Sequence, residues 1–336
     1  MERKKFGAGL IALVAGIALV AGSAFAQEGY LQGDASDGKL VPYYEVSSNL
    51  STIIGLENVV TGAAGATGNY INIHVVIFSA ASVEAFDTNL CLSPYDFGWI
   101  ILQQGAASGT TQAADILKAK VLIASVDADL IPATGYVTLA VTGQGASCAL
   151  ATGAGTNDGL AAWTILQDVG TGFFGTEIPT TSAGVHATAG TITCGAPSPN
   201  ADSPYVTDNT AGCDGLIPQG NTVIARYDIN PDVTATTSIF VWLNSVLATR
   251  VGADAFLNCE DEKEISTTLA LPNEVNVINP ATLGGVGQCS QLGQYRGVLR
   301  FTMPDTGFVW SHVSVAGENY RMNFLGYSLG TNTFIP

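Results

Sequence analysis

Apolar and polar residues alternate along much of the chain. In 70–78, every second residue from Ile71 to Ile77 is β-branched and apolar, and Asn72 and His74 occupy intervening positions. Because successive side chains of a strand point to opposite faces of a sheet, this pattern predicts a strand with one face in a core.

Similar patterns recur through the second half of the chain. Alternation is present in 238–243 and 265–271, and three further strands are predicted to form a C-terminal meander: Arg296–Met303, Phe308–Val315 and Tyr320–Tyr327. The connectors within this meander contain Pro, Gly, Asp and Asn, the residue types that turns require.

Helical signals are few. Only Thr111–Lys120 has the composition of a short helix, and it could equally lead into a strand at Lys120–Val126. We therefore predict an all-β fold: a large antiparallel β-sandwich of the jelly-roll kind.

Loops rich in Gly, Ala, Thr and Ser divide these strands. They cover 61–68, 104–112, 143–159 and 181–220. We expect the sandwich to occupy 47–336, either as one unit or as two packed halves split near 181–220. No repeat at a fixed period is evident.

The N-terminus has the three parts of a secretory signal peptide. Met1–Lys5 is basic, Leu10–Val20 is apolar, and Ala24–Ala26 gives the A-x-A cleavage pattern. We predict removal of residues 1–26, which leaves 27–46 as an extended N-terminal segment ahead of the sandwich. No later stretch reaches the ~18 apolar residues that a transmembrane helix needs.

Six cysteines follow the signal peptide, and in an exported protein they are typical of disulfides. We favour sequential pairing, since each bond then closes a loop within one region of the chain, although six cysteines allow other pairings: Cys91–Cys148, Cys194–Cys213 and Cys259–Cys289.

Charge is scarce and one-sided. Only 12% of residues are charged, and 28 acids against 12 bases give a formal net charge of -16. Three of those bases belong to the signal peptide, so the exported chain is more acidic still. Nucleic acid is excluded as a partner, because binding phosphates takes clustered Lys and Arg.

No set of catalytic residues can be assembled from the sequence. The three histidines are scattered, and the G-x-S-x-G pattern at 326–330 is followed by no acid or histidine that would complete a hydrolase triad. We expect a protein that is not an enzyme.

One short segment resembles the start of a calcium loop. Asp228, Asn230 and Asp232 place oxygen ligands at alternate positions. Pro231 and the lack of the remaining ligands argue against an EF-hand. A weak structural calcium site and a solvated acidic loop both remain open.

Two segments carry a resemblance to known proteins: Asn89–Trp99, with its L-S-P-x-D-x-x-W pattern, and Gly317–Tyr327. Together with the strand pair Ser51–Val59 and Asn69–Phe78, they resemble a broad group of uncharacterised exported β-proteins of Gram-negative bacteria. The resemblance implies a secreted or surface-exposed sandwich and gives no catalytic residues.

These observations favour a structural or interaction protein. We expect a self-assembling subunit of an extracellular filament or surface layer, which adds a strand to the open sheet edge of a neighbouring copy. The donor strand is predicted within 27–46, at Leu40, Val41, Tyr43, Tyr44 and Val46. Deletion of 27–38 or 27–46 should then abolish polymers and leave a folded monomer.

An alternative of another class is a carbohydrate-binding adhesin, with exposed aromatic residues and calcium-held loops. Glycan would then be the partner instead of a second copy of the chain.

Overall fold

The computed structural model is built of β-strands, as the alternation predicts. It describes the following residues: 38–47, 50–59, 69–103, 109–116, 119–127, 133–149, 159–168, 177–178, 181–183, 217, 219–230, 235–243, 252–260, 263–291, 294–315, 320–325 and 327–328. Within these ranges the helical structure consists of two short 3₁₀ segments, Pro280–Thr282 and Val286–Cys289. The all-β prediction is confirmed.

The described residues of the first half form a two-layer sandwich from eleven strands: β1 Gly38–Glu45, β2 Leu50–Asn58, β3 Tyr70–Ser79, β4 Glu84–Leu92, β5 Phe97–Gln103, β6 Gly109–Ile116, β7 Ala119–Asp127, β8 Thr134–Gly145, β9 Leu160–Asp168, β10 Glu177–Ile178 and β11 Thr181–Ala183. We name its layers sheet A, with strand order β10-β9-β2-β5-β7-β6, and sheet B, with order β11-β1-β8-β3-β4. Neighbouring strands are antiparallel except β5 and β7, which are parallel. The core between the layers is aliphatic and includes Ile54, Ile73 and Leu139.

In the part of the second half that the structure describes, ten strands form another two-layer sandwich: β12 Thr222–Ile229, β13 Ala235–Leu243, β14 Ala253–Cys259, β15 Glu264–Leu269, β16 Val275–Ile278, β17 Ser290–Gln291, β18 Gln294–Thr302, β19 Gly307–Val315, β20 Tyr320–Leu325 and β21 Tyr327–Ser328. Its layers are sheet C, with order β20-β19-β13-β16, and sheet D, with order β21-β12-β18-β14-β15. Strand β17 pairs with β18 at the margin of sheet D. The core between C and D includes Ile239, Leu257 and Leu299.

Two expectations about local structure need correction. The predicted helix at 111–120 is absent from the described residues of that segment. Residues 111–116 belong to β6 and residues 119–120 to β7, and these two strands pair antiparallel. The three C-terminal strands exist, yet they do not form a meander. Strand β18 pairs within sheet D, whereas β19 and β20 pair in sheet C. The Pro304-containing turn after β18 therefore carries the chain from one layer to the other.

The two sandwiches have the same topology. In chain order, β1–β5 correspond to β12–β16, and β8–β11 correspond to β18–β21. Every pairing among these corresponding strands is then reproduced, so that sheet A is equivalent to sheet C and sheet B to sheet D. The chain is an internal duplication, and we call the two sandwiches the first and second repeat.

A buried threonine makes the same hydrogen bonds in both repeats. The Thr52 hydroxyl accepts from the Glu45 N–H at 3.0 Å and donates to the Glu45 carbonyl at 2.9 Å. The Thr237 hydroxyl bridges the Asp228 N–H at 2.9 Å and carbonyl at 2.6 Å in the same way. Each threonine therefore joins its own sheet to the first strand of the opposite sheet.

A tyrosine packed over a glycine also recurs. Tyr44 lies opposite Gly135 across the β1–β8 pair, and Tyr227 lies opposite Gly297 across the β12–β18 pair. A Cβ added to either glycine would overlap the carbonyl oxygen of the next strand and contact the tyrosine. Glycine is needed at both positions because this carbonyl oxygen, with the tyrosine beside it, occupies the space that a side chain would take.

The turn that enters β5 is repeated before β16. Pro94-Tyr95-Asp96 and Pro272-Asn273-Glu274 occupy this position. The Asp96 carbonyl accepts from the Asn58 N–H at 3.1 Å, and the Glu274 carbonyl accepts from the Leu243 N–H at 2.8 Å. Part of the segment that carries the sequence resemblance is thus a recurring structural turn.

The repeats differ mainly in one insertion. The β6–β7 hairpin of the first repeat is replaced in the second by the two 3₁₀ segments and β17. Connections of different length also separate the other strands, so equivalent residues do not recur at a fixed spacing. This is why the sequence shows no periodic repeat.

If the threonine bridges are equivalent, Thr52→Val and Thr237→Val should destabilise the protein to similar extents. Each change leaves a backbone N–H and a carbonyl oxygen without their hydroxyl partner, and we expect a loss of about 1–3 kcal/mol, measured by urea unfolding. Thr52→Ser and Thr237→Ser keep the hydroxyl and serve as controls. A Val variant that is as stable as its Ser control would contradict this role.

Candidate interaction surfaces

The two repeats pack together through sheet B and sheet C. The outer faces of these sheets, which point away from each repeat's own core, form a third hydrophobic cluster together with Leu166 of sheet A: Leu40, Tyr43, Val76, Phe78, Tyr136, Leu166, Phe240, Trp242, Val275, Phe308 and Trp310. The molecule is therefore a stack of four sheets in the order A, B, C, D. Three apolar layers separate them.

Aromatic rings dominate the contact between the repeats. The Tyr43 ring of sheet B lies 4.5 Å from the Phe240 ring and 5.9 Å from the Trp310 ring of sheet C, centroid to centroid. Phe240 and Trp310 stack on each other at 4.5 Å. Tyr136 meets Trp242 edge-on at 6.0 Å. Aromatic pairs at such distances add to the free energy of apolar burial.

Hydrogen bonds fix the register of this contact. The Tyr136 hydroxyl donates to Glu274 Oε2 at 2.6 Å and lies 2.7 Å from the Ser82 hydroxyl. The Val275 N–H donates to the Ala80 carbonyl at 3.1 Å. Because Glu274 is only 1% exposed, its carboxylate depends on protein donors instead of water.

The predicted donor strand lies between the core of the first repeat and the contact with sheet C. Leu40, Val41, Tyr43, Tyr44 and Val46 are at most 3% exposed, and β1 is paired with β8 on one side and β11 on the other. Burial raises the pKa of the Tyr43 and Tyr44 phenols far above the usual range. In this structure the strand completes its own sheet.

The outer face of sheet A is apolar and half-exposed. Three cross-strand rows cover β9, β2 and β5: Ile165–Ile53–Ile101, Trp163–Gly55–Trp99 and Ala161–Glu57–Phe97. Trp163 contacts Trp99 edge-on at 5.5 Å and Phe97 at 6.0 Å. A Cβ at Gly55 would overlap the Trp163 indole, so this ring lies against the strand backbone. Burial raises the pKa of Glu57, the acidic residue among these rows.

The outer face of sheet D is mixed. Arg226 is exposed there, and Ile224, Phe256 and Val298 are half-buried. The Arg300 guanidinium lies 4.8 Å from the Phe256 ring centroid. Three arginines of a chain poor in bases therefore share one sheet face: Arg226, Arg296 and Arg300.

Ion pairs hold two of these arginines in place. Arg300 Nη2 lies 2.6 Å from Glu264 Oε2, and Arg296 Nε lies 3.1 Å from Asp228 Oδ2. Their side chains are thereby directed along sheet D.

Four of the six cysteines are paired as the sequential pattern predicts. Cys91–Cys148 joins β4 to the segment after β8, and Cys259–Cys289 joins β14 to the second 3₁₀ segment. Cys194 and Cys213 lie outside the described residues. Two disulfides are typical of an oxidising compartment. Among the described residues, no helix is long and apolar enough to cross a bilayer.

The candidate calcium ligands are not all placed. The Asp228 carboxylate forms an ion pair with Arg296, and Asn230 is 8% exposed. Asp232 lies outside the described residues. The described part of the chain holds no group of three His, Cys, Asp or Glu side chains suited to a metal. A calcium site at 228–232 stays a prediction.

Comparison with known proteins found no family model, no curated protein and no solved structure that matches the chain. The functional argument therefore depends on the surfaces themselves. The alternation pattern of the sequence does not predict the outer faces of sheets A and D as interaction surfaces. The signal was present as three isoleucines and two tryptophans at alternate positions of β2, β5 and β9.

Removing the hydroxyl that joins the repeats should weaken the fold. Tyr136→Phe deprives the buried Glu274 carboxylate of a donor, and we expect a loss of about 1–3 kcal/mol in unfolding free energy. Tyr44→Phe is the matched control, because the Tyr44 hydroxyl is buried with no hydrogen-bond partner among the described residues. Urea unfolding of both variants measures the difference. Equal stabilities would show that the Tyr136–Glu274 bond does not hold the repeats together.

The calcium prediction has a direct measurement. If calcium is bound at 228–232, the melting temperature in millimolar calcium should exceed that in EDTA, because a ligand that binds only the folded chain stabilises it. Asp232→Ala should remove the difference. Identical melting temperatures of the unmodified chain would exclude structural calcium.

Proposed function

We propose that this chain is an exported structural protein that associates with copies of itself into an extracellular filament or surface layer. The observation that carries the proposal is the outer face of sheet A. Its isoleucine row and its two tryptophans form a contiguous apolar surface, and such surfaces are typical of protein–protein contacts. The signal-peptide pattern and the disulfides support export.

The scarcity of charge supports the same proposal. Sheet surfaces that carry few lysines and arginines repel one another weakly and are poorly guarded against association. On the three described central strands of sheet A, Glu57 is the charged residue on the outer face.

The structure favours a route of association different from donation of β1. Strand β1 lies between β8 and β11, and both of its faces are buried. Deletion of 27–46 would remove this strand and open both the core of the first repeat and the contact with sheet C. We propose that preformed sheet faces pack together instead.

Self-association can be tested with one variant on the outer face of sheet A. Ile53→Arg places a charge in the middle of the isoleucine row. We expect negative-stain microscopy to show polymers of the wild-type chain and none of this variant. Val83→Arg, at a turn residue that is 64% exposed, is the matched control and should assemble normally. Circular dichroism establishes that both variants are folded.

Three outcomes would contradict parts of the proposal. A wild-type chain that stays monomeric at every concentration would exclude self-assembly. Normal polymers of Ile53→Arg would exclude the sheet A face. Loss of polymers on deletion of 27–37 alone, with sheet A intact, would favour strand donation from the N-terminus.

A glycan-binding module is the second candidate, since the half-exposed Trp99 and Trp163 offer rings on which sugars stack. A glycan array separates the two functions. Discrete monomers with a glycan signal that Trp99→Ala abolishes would support the adhesin.

A further inference from the structure

The contact between the repeats joins two faces that are not equivalent. Sheet B of the first repeat packs on sheet C of the second. By the duplication, sheet B is equivalent to sheet D, and sheet C is equivalent to sheet A. The contact is therefore head-to-tail. It leaves one free counterpart of each face, sheet A at one end of the stack and sheet D at the other.

We infer that copies of this chain stack end to end, with sheet D of one copy packed on sheet A of the next in the manner of the internal B–C contact. This rests on the proposed function and specifies its geometry. The four-layer order A, B, C, D then continues as A, B, C, D of the following copy. Each new contact joins one repeat to the next, as the contact within the chain does.

Along β9 and β5, the outer face of sheet A keeps large apolar side chains at positions equivalent to those of sheet C, although Ala161 replaces Phe308. Strand registers make Trp163 equivalent to Trp310, because these face Gly55 and Phe240, respectively, at the same position of β2 and β13. They also make Phe97 and Trp99 equivalent to Val275 and Val277. The outer face of β5 in sheet A therefore carries larger apolar side chains than the equivalent face of β16 in sheet C.

Arg226 is the residue of sheet D that replaces Tyr43. Both precede the tyrosine packed over glycine, since Tyr44 and Tyr227 are equivalent. Tyr43 contacts Phe240 and Trp310, whose counterparts on sheet A are Gly55 and Trp163. An arginine at this position meets an indole face beside a residue that lacks a side chain. Guanidinium groups stack favourably on tryptophan.

Around the proposed contact of Arg226 with Trp163, the charged and apolar residues of the two faces are complementary. Glu57 of sheet A takes the position of Trp242, which lies beside the Tyr136 ring in the internal contact. An acidic residue therefore borders the place where Arg226 would dock. Ile224 and Phe256 of sheet D take the positions of Leu40 and Val76, so the apolar part of the face is kept.

The contact between copies lacks one feature of the internal contact. Val298 takes the position of Tyr136, as the β12–β18 and β1–β8 registers show. No hydroxyl is present there to donate to Asp96, the counterpart of Glu274. We therefore expect the contact between copies to be weaker than the contact within the chain, and assembly to be reversible on dilution.

A head-to-tail contact joins two different faces, so repeating it produces open filaments or closed rings instead of symmetric dimers. This allows a test with two singly blocked chains. Ile53→Arg blocks sheet A and leaves sheet D intact, whereas Arg226→Glu blocks sheet D and leaves sheet A intact. Each variant alone should be monomeric in light scattering. An equimolar mixture should form a 1:1 dimer, because one intact pair of faces remains.

Matched controls carry the same charge changes outside both faces. Val83→Arg and Lys263→Glu lie in the equivalent turns after β3 and β14 and should assemble as the wild type does. If Ile53→Arg does not fold, Glu57→Arg replaces it, since this residue lies on the same face.

The outcomes separate the inference from the proposed function. A wild-type chain that never assembles overturns both. A wild-type chain that assembles, together with a mixture that stays monomeric, overturns the head-to-tail geometry alone. Normal assembly of Arg226→Glu, with assembly of Ile53→Arg abolished, would show that sheet A packs on sheet A in a symmetric contact.

Discussion

The burial of sheet B against sheet C is the interaction on which the rest of the structure depends. Together with the two cores, it buries both faces of the central strands of sheets B and C, such as β1 and β13, which are therefore apolar at consecutive positions instead of alternate ones. Sheets A and D, at the two ends of the stack, keep one face outward. The difference between inner and outer sheets follows from the position of each layer in the stack, and it decides which faces remain for contacts with other molecules.

Strand alternation was sufficient to predict the all-β class and several strands, because period-2 patterns report directly on a half-buried sheet. It was insufficient for β1. If the chain had one core, only one face of the run Leu40-Val41 and Tyr43-Tyr44 could be buried, and the strand would be free to pair with another molecule. An uninterrupted apolar segment is also typical of a strand buried on both faces. The sequence contains no local signal for the second apolar layer, since that layer is formed by residues far along the chain.

The duplication was hidden for a related reason. The residues that the two repeats share are those that geometry requires: a threonine that bridges two sheets, a glycine under a tyrosine, and a proline before the turn. Elsewhere each residue depends on what covers it. Tyr136 faces a buried carboxylate, whereas its counterpart Val298 faces outward. Connections of unequal length then remove the remaining periodicity. Candidate surfaces such as the face of sheet A became recognisable only when three strands distant in sequence were placed side by side.

Covalent linkage of the two repeats has a quantitative consequence. Within one chain, the covalent connection between the repeats keeps sheet B and sheet C at a high effective concentration. A face pair of modest intrinsic affinity is then saturated inside the molecule, while the same kind of pair between molecules forms only when the protein is abundant. Copies that stack as we propose would remain separate while dilute and join once they accumulate. Under this proposal, the repeated fold supplies both a permanent joint and a concentration-dependent one.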